Sequence, residues 1–176
     1  MASLSLHELE WIPYVNGAGE LPDQFHGKVG VYAIFNQARV LQYIGLSRDV
    51  SLSLKQHLVR QPHQCYWVKV QTIDRPNRAV LEDMRAAWIA ENGATPVGNG
   101  PDEAGWNQPI DVKVRLTPEE QQAVATAENE LAQAKVLKQA ARRVEADLLN
   151  LIRARGVQTE IRFNPKLKDA GLLDLK

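Results

Sequence analysis

Two short runs constrain this chain more than anything else in it. Val29-Gly30-Val31-Tyr32-Ala33-Ile34-Phe35 and Arg39-Val40-Leu41-Gln42-Tyr43-Ile44-Gly45 are rich in β-branched and aromatic residues, and only Asn36-Gln37-Ala38 separates them. Such runs read as strands. Three residues are too few for a crossover between parallel strands, so the pair must be an antiparallel hairpin. Ser47 or Asp49 then caps a helix running to about Arg60, with Val50, Leu54 and Leu58 recurring every four residues on one face. Pro62 ends it. Tyr66–Ile73 alternates as a third strand. Residues 78–91 form a second helix with Val80, Leu81, Met84, Ala87 and Trp88 inward, stopped by Asn92-Gly93. The expected fold class is α/β in the α+β sense, a small three-stranded antiparallel sheet flanked by helices, with a long C-terminal helix.

The rest of the chain divides around that centre. Residues 1–27 form an N-terminal arm in which Leu9, Trp11, Ile12, Tyr14 and Val15 supply packing. Residues 28–100 form the central domain and 101–116 a linker, set in a stretch holding Pro96, Gly98, Gly100, Pro101, Gly105 and Pro109. Residues 117–176 form a helical extension with a short strand at Val157–Phe163. Thr117-Pro118-Glu119-Glu120 is a strong helix start, with a threonine cap, proline in the first turn and glutamate placed to close a capping box. No breaker follows before Gly156, so one helix over 118–155 is expected, about 57 Å long at 1.5 Å per residue. Val124, Ala127, Leu131, Ala134, Leu137, Ala141, Val144, Leu148 and Leu151 give it a narrow apolar stripe. Six basic and six acidic side chains balance along it, acids leading, as the helix dipole favours. Packing of the stripe within the chain and pairing in a homodimer through residues 118–155 both satisfy it.

Composition narrows the classes of function. With 44% hydrophobic residues the chain has material for a real core. Lysine plus arginine total 21 and aspartate plus glutamate total 21. That balance removes the bulk positive field of a strong nucleic-acid binder and leaves nucleic acid a weak partner held by a local patch. Cys65 stands alone, so no disulfide framework and no cysteine-based zinc site is expected. No apolar run approaches the roughly 20 residues of a membrane span. The first residues lack a basic stretch followed by an apolar one. The expected location is cytoplasmic, with no membrane partner.

The triplets Gly30-Val31-Tyr32 and Tyr43-Ile44-Gly45, ten residues apart on adjacent strands, resemble the GIY-YIG nuclease superfamily. The resemblance covers about residues 28–100 and extends to His57, twelve residues past Gly45, to Glu82 on the second helix, and to Asn99, three residues after Pro96. It implies a magnesium-dependent endonuclease that hydrolyses a phosphodiester by attack of water. Glu82 would hold the metal. Tyr32, Tyr43, His57 and Arg48 would form the catalytic group, and Arg48, Lys55 and Asn99 would contact nucleic acid. Gly30 and Gly45 would be motif glycines, Gly45 letting the backbone approach the helix. Such chemistry needs a cation beside the transition-state oxygens. The family's arginine position is Ser53 here, so activity is expected to be weak.

Each residue also has a plainer role. Tyr32 and Tyr43 serve as packing residues on strands, Glu82 as a solvated helix charge, Asn99 as turn chemistry, and Cys65 as an inert buried thiol. Three functions therefore stand together on the sequence. They are a weak nuclease, a nuclease fold that has lost its chemistry and keeps a nucleic-acid or protein contact, and a scaffold dimerised by its long helix.

Overall fold

The computed structural model describes residues 3–176. The chain divides into two compact units, one running through Asn107 and including Arg155–Thr159, the other made of Gln108–Ala154 and Glu160–Lys176.

The first unit is the expected small antiparallel sheet with helices on it. Its elements are β1 (Ile12–Pro13), β2 (Val29–Phe35), β3 (Leu41–Ser47), α1 (Val50–Arg60), β4 (Trp67–Ile73), α2 (Arg78–Asn92) and α3 (Glu103–Asn107). The strands lie in the order β1-β4-β2-β3, and every pair is antiparallel. The arm contributes the fourth, short strand by pairing Ile12 with Val68 and Pro13 with Trp67. Proline is tolerated there because β1 is an edge strand. Both helices start on side-chain caps, Asp49 accepting from the Leu52 N–H and Asn77 from the Val80 N–H. Gly93, at φ 80°, ends α2 in the left-handed conformation that favours glycine.

Strand alternation assigns the two faces of the sheet. Val31, Ala33 and Phe35 of β2 share a core with Ile44, Ile73 and the α2 residues Leu81, Met84 and Trp88. Tyr32 and Ile34 therefore point to the other face, where α1 buries Leu54, His57 and Leu58. Tyr32 pairs directly with Gly45 across the hairpin, which puts Tyr43 and Gly45 on the α1 face as well.

The second unit holds β5 (Ile110–Asp111), a 3-10 turn at Val112–Arg115, α4 (Pro118–Ala125), α5 (Glu130–Ala154), a 3-10 turn at Pro165–Ala170, and β6 (Leu172–Leu173), which pairs with β5. The single helix expected over 118–155 is two helices. The first ends at Thr126, whose hydroxyl donates to the Gln122 carbonyl, and the second starts where Asn129 accepts from the Ala132 N–H. Residues of this kind offer the backbone local alternatives to the helical ladder, so they interrupt it without glycine or proline. Of the stripe only Ala141, Val144 and Leu148 are buried; Ala140 and Ile152, outside it, complete the buried face of α5, Leu151 is half-buried, and Leu131 is 68% exposed. The expected strand at Val157–Phe163 is absent apart from one bridge between Phe163 and Leu175. No helix among the described residues is long and apolar enough to cross a membrane.

Candidate functional site: a buried tyrosine–histidine cluster

The α1 face of the first unit gathers Tyr32, Tyr43 and His57 in one place. The Tyr32 hydroxyl lies 2.7 Å from His57 Nε2. The ring centroids are 5.5 Å apart for Tyr32 and His57, 4.7 Å for Tyr43 and His57, and 6.1 Å for the two tyrosines. Trp106 of α3 stacks on Tyr43 at 5.1 Å and 7°, and the Tyr43 hydroxyl donates to Asn107 Oδ1 at 2.7 Å.

The backbone explains why the rings fit. A Cβ on Gly45 would come within 2.3 Å of the Tyr32 ring and hydroxyl. The Tyr32 ring thus lies flat across the glycine that it faces in the neighbouring strand. The close approach that Gly45 allows is of this ring, not of the helix backbone. Ser53 stands beside the Tyr32 hydroxyl and also bonds Ser47 Oγ at 2.7 Å.

Burial sets the protonation states. His57 is 3% exposed, and its pKa is lowered to about 3, first by burial and then by the charge of Arg60, with the nearby Trp106 backbone offsetting part of this. The imidazole is neutral at pH 7. Its Nδ1 is buried without a hydrogen bond of good geometry. Burial, followed by the neighbouring Tyr43, holds the Tyr32 phenol well above its ordinary range. Burial also raises Tyr43, against the opposing charge of Arg85. The cluster is therefore a set of neutral, water-excluded groups packed as core.

The other residues singled out in the sequence lie elsewhere. Glu82 is on α2, the helix of the opposite sheet face, and pairs with Arg78 at 2.8 Å. Arg48 is exposed and lines a hollow of about 240 Å³ with Leu46, Asn77, Arg78 and Leu81. Lys55 lines a different hollow of about 480 Å³ with Glu20, Asp23, His26 and Asp49. Gly30 lies under the β4 backbone, where a Cβ would meet the Gln71 carbonyl at 2.5 Å. Asn99 spends its side chain on one residue, accepting from the Ile44 N–H and donating to the Ile44 carbonyl, both at 2.7 Å. Trp106 and Asn107, missing from the sequence reading, complete the cluster. A tryptophan inside a glycine- and proline-rich stretch was the available signal, since a large ring there needs somewhere to be buried.

Cys65, the only cysteine of the chain, is fully buried beneath the same face. Its thiol lies 3.5 Å from the His57 carbonyl, and burial pushes its pKa up to about 12.

No family model matches the chain. Among curated proteins it is similar to the bifunctional monothiol glutaredoxin-S16, chloroplastic, of Arabidopsis thaliana, at 34% identity over 99 residues. The match covers 54% of this chain and 32% of that protein, so the chain spans about a third of the length of the curated relative it matches. This finding corrects the GIY-YIG assignment. The relative is described as a glutaredoxin and not as a nuclease, and the endonuclease and hydrolase reading of residues 28–100 is set aside with the family. The alternative of a nuclease fold keeping a nucleic-acid or protein contact gains no support from it either. Magnesium at Glu82 is corrected on the same match and on geometry. Among the described residues no group of three or more His, Cys, Asp and Glu side chains is placed to hold a metal ion.

Proposed function

We propose that this chain acts in glutaredoxin-linked redox chemistry as an accessory module that carries no reactive thiol of its own. The observation that carries the reading is Cys65. A redox cysteine works as an accessible thiolate of lowered pKa, whereas this one has no exposed surface and a thiol pushed up to about 12. The same burial argues against glutathione as a resident partner, because a mixed disulfide needs a sulfur that the attacking thiolate can reach. The sheet points the same way. Thioredoxin-like redox motifs sit beside a parallel βαβ unit, and here every strand pair is antiparallel. The relative is described as bifunctional and only a third of its length is matched, which leaves room for the thiol centre in the unmatched part. A reducing compartment such as the cytoplasm suits a chain whose single thiol stays unpaired.

Native thiol titration and a glutathione-dependent disulfide reductase assay test this. The folded protein should give no thiol signal and no turnover, and one thiol should appear on unfolding. A monothiol glutaredoxin supplied as a separate protein should bind the chain in a calorimetric titration. Native reactivity with turnover that Cys65→Ser abolishes would reverse the reading, and so would the absence of any complex.

A further inference from the structure

The turn that joins β2 to β3 carries an arginine where glycine is expected. Asn36 organises the turn: its carbonyl accepts from the Arg39 N–H at 2.9 Å and its Oδ1 accepts from the Val40 N–H at 2.9 Å. Arg39 has φ 61°, and among the described residues it is the single non-glycine residue with positive φ. That position in a hairpin turn is usually filled by Gly or Asn, which reach it with the least strain. The turn alone does not explain an arginine there.

The side chain supplies the reason for its conformation. The guanidinium carbon lies 4.4 Å from the Trp67 ring and 4.8 Å from the Trp11 ring. The two indoles stand nearly perpendicular, at 78°, and form a corner that holds the charge. Trp11 is itself fixed by an edge contact with Phe35 at 4.5 Å and by Lys69 Nζ, 4.2 Å from its ring. Lys69 in turn donates to the Leu6 carbonyl at 2.9 Å. Among the described residues no hydrogen bond or ion pair reaches the Arg39 guanidinium, and the residue as a whole is exposed. Val40 beside it is 56% exposed. A guanidinium fixed by two rings has little freedom left to lose, and its planar fork matches a carboxylate in two parallel hydrogen bonds.

We propose that the Trp11–Arg39–Trp67 corner is a docking point for an acidic protein segment, with one carboxylate of the partner seated on the Arg39 fork and its aliphatic stem against Val40. A carboxylate side chain is favoured because the place offers a single guanidinium flanked by apolar surface, with Lys69 already occupied. The chain as a whole carries 21 basic and 21 acidic residues, so no overall field draws an acidic peptide and any binding is local. This inference is independent of the glutaredoxin reading.

The test uses a hexaglutamate peptide, with hexalysine as control, titrated into the full chain while indole fluorescence is followed. Hexaglutamate should bind, shift the tryptophan emission and weaken as salt rises. Arg39→Gly and Arg39→Asn both accept the left-handed turn and keep the hairpin folded, and each should weaken binding at least tenfold. Arg39→Lys keeps the charge without the fork and should also weaken it. Equal binding by Arg39→Gly, no binding by the native chain, or a phosphorylated serine peptide binding more tightly than hexaglutamate would each overturn the assignment.

Discussion

An imidazole with an ordinary pKa of 6.5 falls to about 3 once folding buries His57 against Tyr32. Between those two values the unfolded chain holds one more proton than the folded one. Stability therefore falls as pH drops through this window and is fully present above 6.5. The loss from this residue between pH 7 and pH 5 is expected to be about 2 kcal/mol. Urea unfolding at the two pH values measures it, and His57→Gln should flatten the difference while lowering stability at pH 7. A slope that survives in His57→Gln would assign the effect to other groups. Gly45 is the companion test. A methyl there meets the Tyr32 ring at 2.3 Å, and the ring cannot yield without breaking its bond to His57. Gly45→Ala should cost about 1–3 kcal/mol, seen as a lower unfolding midpoint. A variant as stable as the native protein would show that the ring has another place to go.

Elements were legible where their signals are local. The hairpin announced itself by composition, α1 and α2 by their caps, and α4 by the Thr117–Glu120 box that the structure contains. What was not legible depends on partners distant in sequence. Period-2 alternation puts Val31 and Tyr32 on opposite faces, but nothing local says which helix covers which face, so the sequence does not separate Glu82 from tyrosines whose face it does not share. Asn99 and Trp106 lie in a stretch with no local signal of structure, because their targets, Ile44 and Tyr43, are more than fifty residues away. The break between α4 and α5 is not legible because Thr126 and Asn129 make it without glycine or proline. That break sets up a further expectation. Glu120 serves both the Thr117 cap and a two-point pairing with Arg143, at 2.7 and 2.8 Å, and Arg143 also donates to the Arg115 carbonyl. No residue of α4 is buried, so this pairing ties it to α5. Arg143→Met should fray α4, at a cost of about 1 kcal/mol for a partly exposed pair, with faster amide exchange at residues 120–125. Exchange in the 140–152 core should be unchanged, and equal slowing or loss in both segments would place the tie elsewhere.

At the scale of the whole molecule, the first half of the helical stripe is only partly covered: Leu137 lies against the Gly171 turn, while Leu131 stays exposed. From Pro118 through Gln139 not one residue is fully buried, although Val124, Leu131, Ala134, Val136 and Leu137 all lie there. Leu131 is the most exposed of them. We expect a second copy of the chain to cover this surface. An antiparallel two-fold pairing of α5, centred between Leu131 and Ala134, would set Glu130 of one protomer against Lys135 of the other, twice. Ala134, which lies on the same helix face as Leu131, would let the two helices approach closely. A two-fold contact uses one patch on both partners, which is the commonest form of association. Small residues bury little area, so the pairing should be weak and concentration-dependent. Light scattering at high micromolar concentration should give a mass above the 19.7 kDa of the monomer, tending toward twice that value. Leu131→Glu should return it to the monomer with the sheet unit still folded. Lys135→Glu should weaken the dimer, and adding Glu130→Lys to the same chain should restore it, because the swap rebuilds the cross-pair. A native chain that stays monomeric, or a double variant no better than Lys135→Glu, would remove this helix from the contact.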